Sequence, residues 1–102
     1  MLASLSAQVR LDVQGDAKIG GKLNLNDGDQ NVVIGAGAGN SSSTLGKQNT
    51  FVGHSAGDVN TGDFNTFVGK NAGSKNVGAS RNIFIGVDAG RDNTAPNNTF
   101  IG

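Results

Sequence analysis

The sequence predicts an all-β fold: a narrow parallel β-solenoid, or β-roll, coiled from repeats of 16–18 residues. The first observation behind this is a pentapeptide that recurs five times: NVVIG at 31–35, NTFVG at 49–53, NTFVG at 65–69, NIFIG at 82–86 and NTFIG at 98–102. The second is its period. The leading asparagines Asn31, Asn49, Asn65, Asn82 and Asn98 are spaced by 18, 16, 17 and 16 residues, too short for a helical-hairpin repeat or a propeller blade. The third is composition. Among 102 residues there are 17 glycines, all eight acidic residues are Asp, and Glu is absent, which favours turns over long helices.

The elements follow in order along the chain. Residues 1–8 (MLASLSAQ) read as a flexible tail or the remnant of a secretion signal, since Leu5-Ser6-Ala7 supplies the small residues of a cleavage site. Residues 9–30 read as an N-terminal β segment. Val9-Arg10-Leu11-Asp12-Val13 alternates like a half-buried strand, and Gln14-Gly15-Asp16 makes a turn. Ala17-Lys18-Ile19 and Lys22-Leu23-Asn24-Leu25 resume the alternation, and Asn26-Asp27-Gly28-Asp29 turns into the first repeat. Such a segment would shield the open end of a repeat array.

Residues 31–102 form the predicted solenoid. Four pentapeptides continue as G-x-x-A-G, at 35–39, 53–57, 69–73 and 86–90. Each then enters a polar loop in which Leu45-Gly46, Thr61-Gly62, Val77-Gly78 and Thr94-Ala95 take corresponding places. Length varies only in these loops, so one repeat is one coil with insertions absorbed at a corner. Each coil is expected to hold two strands of about five residues and two tight corners, rising about 4.8 Å per coil.

Strand side chains alternate between faces, and each pentapeptide is apolar on both. Stacking produces one ladder of Val33, Phe51, Phe67, Phe84 and Phe100, and another of Ile34, Val52, Val68, Ile85 and Ile101. A thin interior covers only one of them, leaving the other as a hydrophobic stripe in water. The chain is therefore expected to be a homo-oligomer in which the second ladder packs on its counterpart in neighbouring copies. Alternation alone leaves open which ladder faces inward. With the phenylalanines as the inter-chain contact, Phe67→Asp is expected to dissociate the assembly. The column Asn31, Asn49, Asn65, Asn82 and Asn98 is expected to hydrogen-bond along the axis, as in cross-β stacks. Asparagine and the recurrent glycines also suit corners that need a positive φ.

The pattern NTFVG…AG…G…NTFVG resembles the head repeats of trimeric autotransporter adhesins and related repeats in phage tail fibres and other fibre proteins. LDVQGDAKIGGKLNL at 11–25 resembles the short β modules preceding such repeats. The resemblance implies a homotrimer of left-handed parallel β-rolls on a cell or particle surface, with a binding or spacer role. In the adhesin heads the third pentapeptide position is usually small. Here Phe51, Phe67, Phe84 and Phe100 occupy it.

No residues are assigned as catalytic, cofactor-binding or metal-binding, and the chain is not expected to be an enzyme. His54, the only histidine, sits at a variable position matched by Ala36, Lys70 and Val87 in sister repeats. Gly53-His54-Ser55-Ala56-Gly57 has the spacing of a nucleophile elbow but lacks the strand-to-helix turn that exposes its serine. Gly35–Asn40 lacks the late third glycine of a dinucleotide fingerprint. The Asp-rich stretches 27–29 and 58–63 match no calcium-loop pattern and read as turns, with a weak Ca²⁺ site as the alternative.

Formal net charge is +0 with lysines and arginines dispersed, which argues against nucleic acid as a partner. No stretch is long and apolar enough for membrane insertion. The function expected is that of an extracellular structural or adhesive fibre, a rigid spacer or receptor-binding head whose partners are itself and a cell-surface glycan or protein. The alternative is a glycan- or small-ligand-binding module using loops 40–48, 58–64, 74–81 and 91–97, where Phe64 is the one loop aromatic. An ice-binding solenoid would use Thr50, Thr66 and Thr99, a file that Val32 and Ile83 interrupt.

Overall fold

In the computed structural model, which describes residues 12–22, 28–39 and 45–102, each pentapeptide supplies one three-residue strand. These are β1 (Val32–Ile34), β2 (Thr50–Val52), β3 (Thr66–Val68), β4 (Ile83–Ile85) and β5 (Thr99–Ile101). They form one parallel sheet in the order β1-β2-β3-β4-β5, so four turns of chain join five stacked rungs. Pairing is in register with the repeat: Val33 lies beside Phe51, Phe51 beside Phe67, Phe67 beside Phe84, and Phe84 beside Phe100.

The chain is an all-β solenoid, but among the described residues each coil carries a single short strand rather than the two five-residue strands expected. The backbone explains why. The strand ends at a glycine with φ near 130°, as at Gly53, Gly69 and Gly86. The next four residues then bend twice through left-handed positions, at Ser55 and Gly57, Asn71 and Gly73, and Asp88 and Gly90. Two reverse turns follow one another: Ala56 N–H donates to the Gly53 carbonyl, and Asn60 N–H to the Gly57 carbonyl. No extended segment survives two turns in succession. Rungs still bond to one another here, as Asn71 N–H donates to the His54 carbonyl at 2.9 Å and Asp88 N–H to the Lys70 carbonyl at 2.9 Å.

The interior has two halves. Phe51, Phe67 and Phe84 are 0% exposed and stack with Phe100 at centroid separations of 5.1, 4.9 and 5.0 Å, nearly coplanar at 10°, 6° and 15°. Ala56, Ala72 and Ala89 pack beside the rings. The glycine after each of these alanines is set by the ring: a Cβ on Gly73 would lie 2.5 Å from Phe67. In the first rung Val33 replaces phenylalanine, and Leu45 packs against the core there.

The other half is amide. Each of the first four pentapeptide asparagines accepts, through Oδ1, the backbone N–H of its counterpart on the next rung: Asn31 from Asn49 at 2.9 Å, Asn49 from Asn65 at 2.8 Å, Asn65 from Asn82 at 2.9 Å, and Asn82 from Asn98 at 2.8 Å. The Nδ2 groups of Asn31, Asn49, Asn65 and Asn98 donate to the carbonyls of Gly46, Gly62, Ala79 and Ala95 respectively. None of these asparagines has a positive φ. That conformation belongs instead to the residue before each: Gln30, Gln48, Phe64, Arg81 and Asn97, at 57–63°.

A second asparagine column, Asn60, Asn76 and Asn93, runs beside the first. Asn65 and Asn76 both donate to Asn60 Oδ1, at 3.1 and 2.9 Å. The shared carbonyls also correct the loop alignment. Ala79, three residues before Asn82, matches Gly62 and Ala95, so Val77-Gly78 carries the extra residue of that coil rather than standing in register.

The segment expected as β structure at 9–30, and the tail at 1–8, lie partly or wholly outside the described residues. Residues 12–22 carry no strand and are exposed throughout.

Two substitutions separate the halves of this core. Phe67→Ala is expected to destabilise the fold by about 3–5 kcal/mol, because a fully buried ring leaves a cavity between two others. Asn65→Ala strands the buried Asn82 N–H, while the Ala79 carbonyl keeps the Asn76 Nδ2 donor, and a loss of about 1–3 kcal/mol for the unsatisfied group is expected. Denaturant unfolding of both variants checks this; wild-type stability in either would contradict the packing described.

Candidate functional site

With phenylalanine and asparagine pointing inward, the remaining strand positions form the outer face of the sheet. One row is Val32, Thr50, Thr66, Ile83 and Thr99, and the next is Ile34, Val52, Val68, Ile85 and Ile101. The outcome of the two-ladder question is therefore definite. Within the phenylalanine ladder, which the Phe67→Asp test places at the inter-chain contact, Phe51, Phe67 and Phe84 are internal and closed to a neighbouring copy, while Phe100 on the last rung is 41% exposed. Asp at 67 would bury a charge inside the coil rather than simply separate neighbouring copies.

The Val/Ile ladder is the exposed one. Ile34 is 48%, Ile85 39% and Ile101 75% exposed, while Val52 and Val68 are half-buried by their neighbours. Thr50 and Thr66 are adjacent on the companion row, and Ile83 separates them from Thr99. This face carries ten side chains in two straight files without a single charge.

The left-handed corner column is the second exposed feature. Its backbone is pinned rung to rung: Gln48 N–H donates to the Asp29 carbonyl at 2.9 Å, Phe64 to Lys47 at 3.0 Å, Arg81 to Asp63 at 3.0 Å, and Asn97 to Ser80 at 3.1 Å. These bonds hold residues with a Cβ in a conformation that costs about 1–2 kcal/mol. Side chains also pair along the column. Gln48 Nε2 donates to Gln30 Oε1 at 2.7 Å, and the Arg81 guanidinium sits 5.7 Å from the Phe64 ring centroid.

His54 is exposed, and its Nδ1 lies 3.1 Å from the hydroxyl of adjacent Ser55, with no helix following. Among the described residues, no three His, Cys, Asp or Glu side chains come together in a metal-binding group. At the far end Lys75 and Asp92 are 3.2 Å apart, and the hydrogen bond from the Lys75 ammonium holds the exposed Asp92 carboxyl below its ordinary range.

Asn60, Asn76 and Asn93 are structural residues that the pentapeptide pattern does not reveal. Their signal was present elsewhere in the repeat: each follows the last G-x-x-A-G glycine by three residues, at 57, 73 and 90.

Fold and surface together define a class, a parallel β-solenoid with a filled interior and one uncharged apolar outer face. No family model, curated protein or solved structure matches the chain.

Proposed function

We propose that this chain is a segment of a structural or adhesive fibre that works as a homo-oligomer, with three copies as the arrangement its repeats favour. The observation that supports this most is the outer file Ile34, Val52, Val68, Ile85 and Ile101, left in solvent because the phenylalanines already fill the interior. Removing such a file from water is worth roughly 25 cal/mol per Å² of apolar surface, which drives association without directional contacts. A second copy is the natural occupant. Its own file repeats at the same rise, so two or three copies set side by side meet valine or isoleucine at every rung.

Three chains each offering one flat face would close around a common axis and leave polar turns and corners outward. Closed symmetry of this kind avoids open-ended aggregation. The likeness of the pentapeptide to adhesin-head and tail-fibre repeats points the same way, towards an extracellular setting with a cell-surface glycan or protein as receptor. The rigid rung-to-rung bonding suits a spacer that must transmit position along its axis.

The test is native mass with electron microscopy, on the unmodified chain and on Val68→Asp. A trimeric mass and rod-shaped particles are expected for the first. A single-copy mass with an unchanged circular-dichroism spectrum is expected for the second, because the charge sits outside the coil. A folded, monodisperse single copy of the unmodified chain would overturn the oligomeric fibre.

A further inference from the structure

Phe64 breaks the pattern of its own column. The residues stacked with it at the left-handed corner are Gln30, Gln48, Arg81 and Asn97, all polar or charged. Phe64 is the one apolar residue, it has φ 60°, and it is 49% exposed. A bulky aromatic in the left-handed region is an outlier that its surroundings must enforce. Burial does not account for the choice, since the core is complete without it. The other four phenylalanines all belong to the internal stack.

The ring borders a cleft of about 310 Å³ lined by residues of three successive rungs, Asp29 and Gln30, Lys47 and Gln48, Asp63 and Phe64. Arg81 belongs to the fourth rung, outside that lining, and makes its cation–π contact with the ring. The cleft wall is pre-formed rather than loose. Asp63 Oδ1 accepts the Lys47 backbone N–H at 2.7 Å, the Asp63 N–H donates to Ser80 Oγ at 3.0 Å, and Gln48 bonds Gln30. The polar lining is mixed, with two carboxylates, one ammonium and two amides, so it offers both donors and acceptors without a dominant charge. Its volume sits at the low end of the roughly 300–1,000 Å³ of small-molecule sites.

We propose that this corner cleft binds a neutral pyranose ring, its C–H face laid on Phe64 and its hydroxyls hydrogen-bonded by the Gln48 amide and the Asp63 and Lys47 side chains. An aromatic face flanked by donors and acceptors fits a ligand with one apolar face and a polar rim. A phosphate or a sulfated sugar would meet two carboxylates, and a purely apolar ligand would desolvate the Gln30–Gln48 amide pair and the Lys47–Asp29 ion pair without replacing their water contacts. The site is independent of the oligomeric reading, because Phe64 lies at a corner and outside the two outer-face files of the sheet.

Saturation-transfer difference NMR tests it on the full chain, with the methyl pyranosides of glucose, galactose and mannose, N-acetylglucosamine, and sialic acid as the charged comparison. Transfer concentrated on the C–H face of at least one neutral sugar, with millimolar affinity, is expected. Phe64→Ala should weaken it at least tenfold, as stacking of a ring face is lost, while Phe64→Tyr keeps it. Gln48→Ala should weaken it several-fold. Because Phe64 is outside the core, circular dichroism should show all three variants folded. The same sugars displayed on longer glycans then distinguish a chain terminus from a free monosaccharide. Absence of transfer from every neutral sugar, binding of sialic acid alone, or equal binding by Phe64→Ala would each overturn the proposal. Loss of sugar binding with trimeric mass retained would sink this site and leave the fibre standing.

Discussion

Everything in this molecule is subordinate to the rise of one rung. Hydrogen-bonded strands stack about 4.8 Å apart, so an interior column has room for one flat side chain per coil. The observed columns are made of flat groups: benzene rings at 4.9–5.1 Å and carboxamides whose oxygens receive the next rung's N–H at 2.8–2.9 Å. A ring stack gains from aromatic contact beyond simple burial. The amide columns satisfy buried backbone groups that would otherwise be orphaned at the corners. Together they make a core one residue thick without disulfides or large aliphatic clusters.

The same dimension dictates the sequence around the columns. A ring spanning the coil leaves no space for a Cβ opposite it, hence Gly57, Gly73 and Gly90 against Phe51, Phe67 and Phe84. Where the ring is absent, at Val33, Leu45 packs on the core and the loop is longer. Core volume is kept there by exchange between strand and loop rather than at one position. A thin core has a further consequence: every strand has a second face over which no described residue forms a second layer. The apolar outer file is the complement of the ring stack, and the proposed oligomer would cover it.

Strand positions, their parallel order and their register were legible from the pentapeptide alone, because repeats of fixed period pair like with like. Two things were harder to read. Alternation could not tell Phe51 from Val52 as the inward residue, since both are apolar; the structure decides it, with the glycine of each Ala-Gly pair set against a ring. The second strand per coil was inferred from repeat length. It fails because Ser55, Asn71 and Asp88 adopt left-handed turns, and non-glycine residues do not announce that conformation strongly. The inner column Asn60, Asn76 and Asn93 hid in loops that looked merely polar. Phe64 was visible as a lone loop aromatic, but its strained backbone and its cleft needed three dimensions.

The inward stack is most directly tested by incorporating 4-fluorophenylalanine and recording ¹⁹F resonances with a soluble paramagnetic agent. Sharp, protected signals from Phe51, Phe67 and Phe84 are expected, together with strong broadening of Phe64. Broadening of Phe67 and Phe84 with Phe64 spared would contradict the ring stack, and would mean that the rungs face the other way.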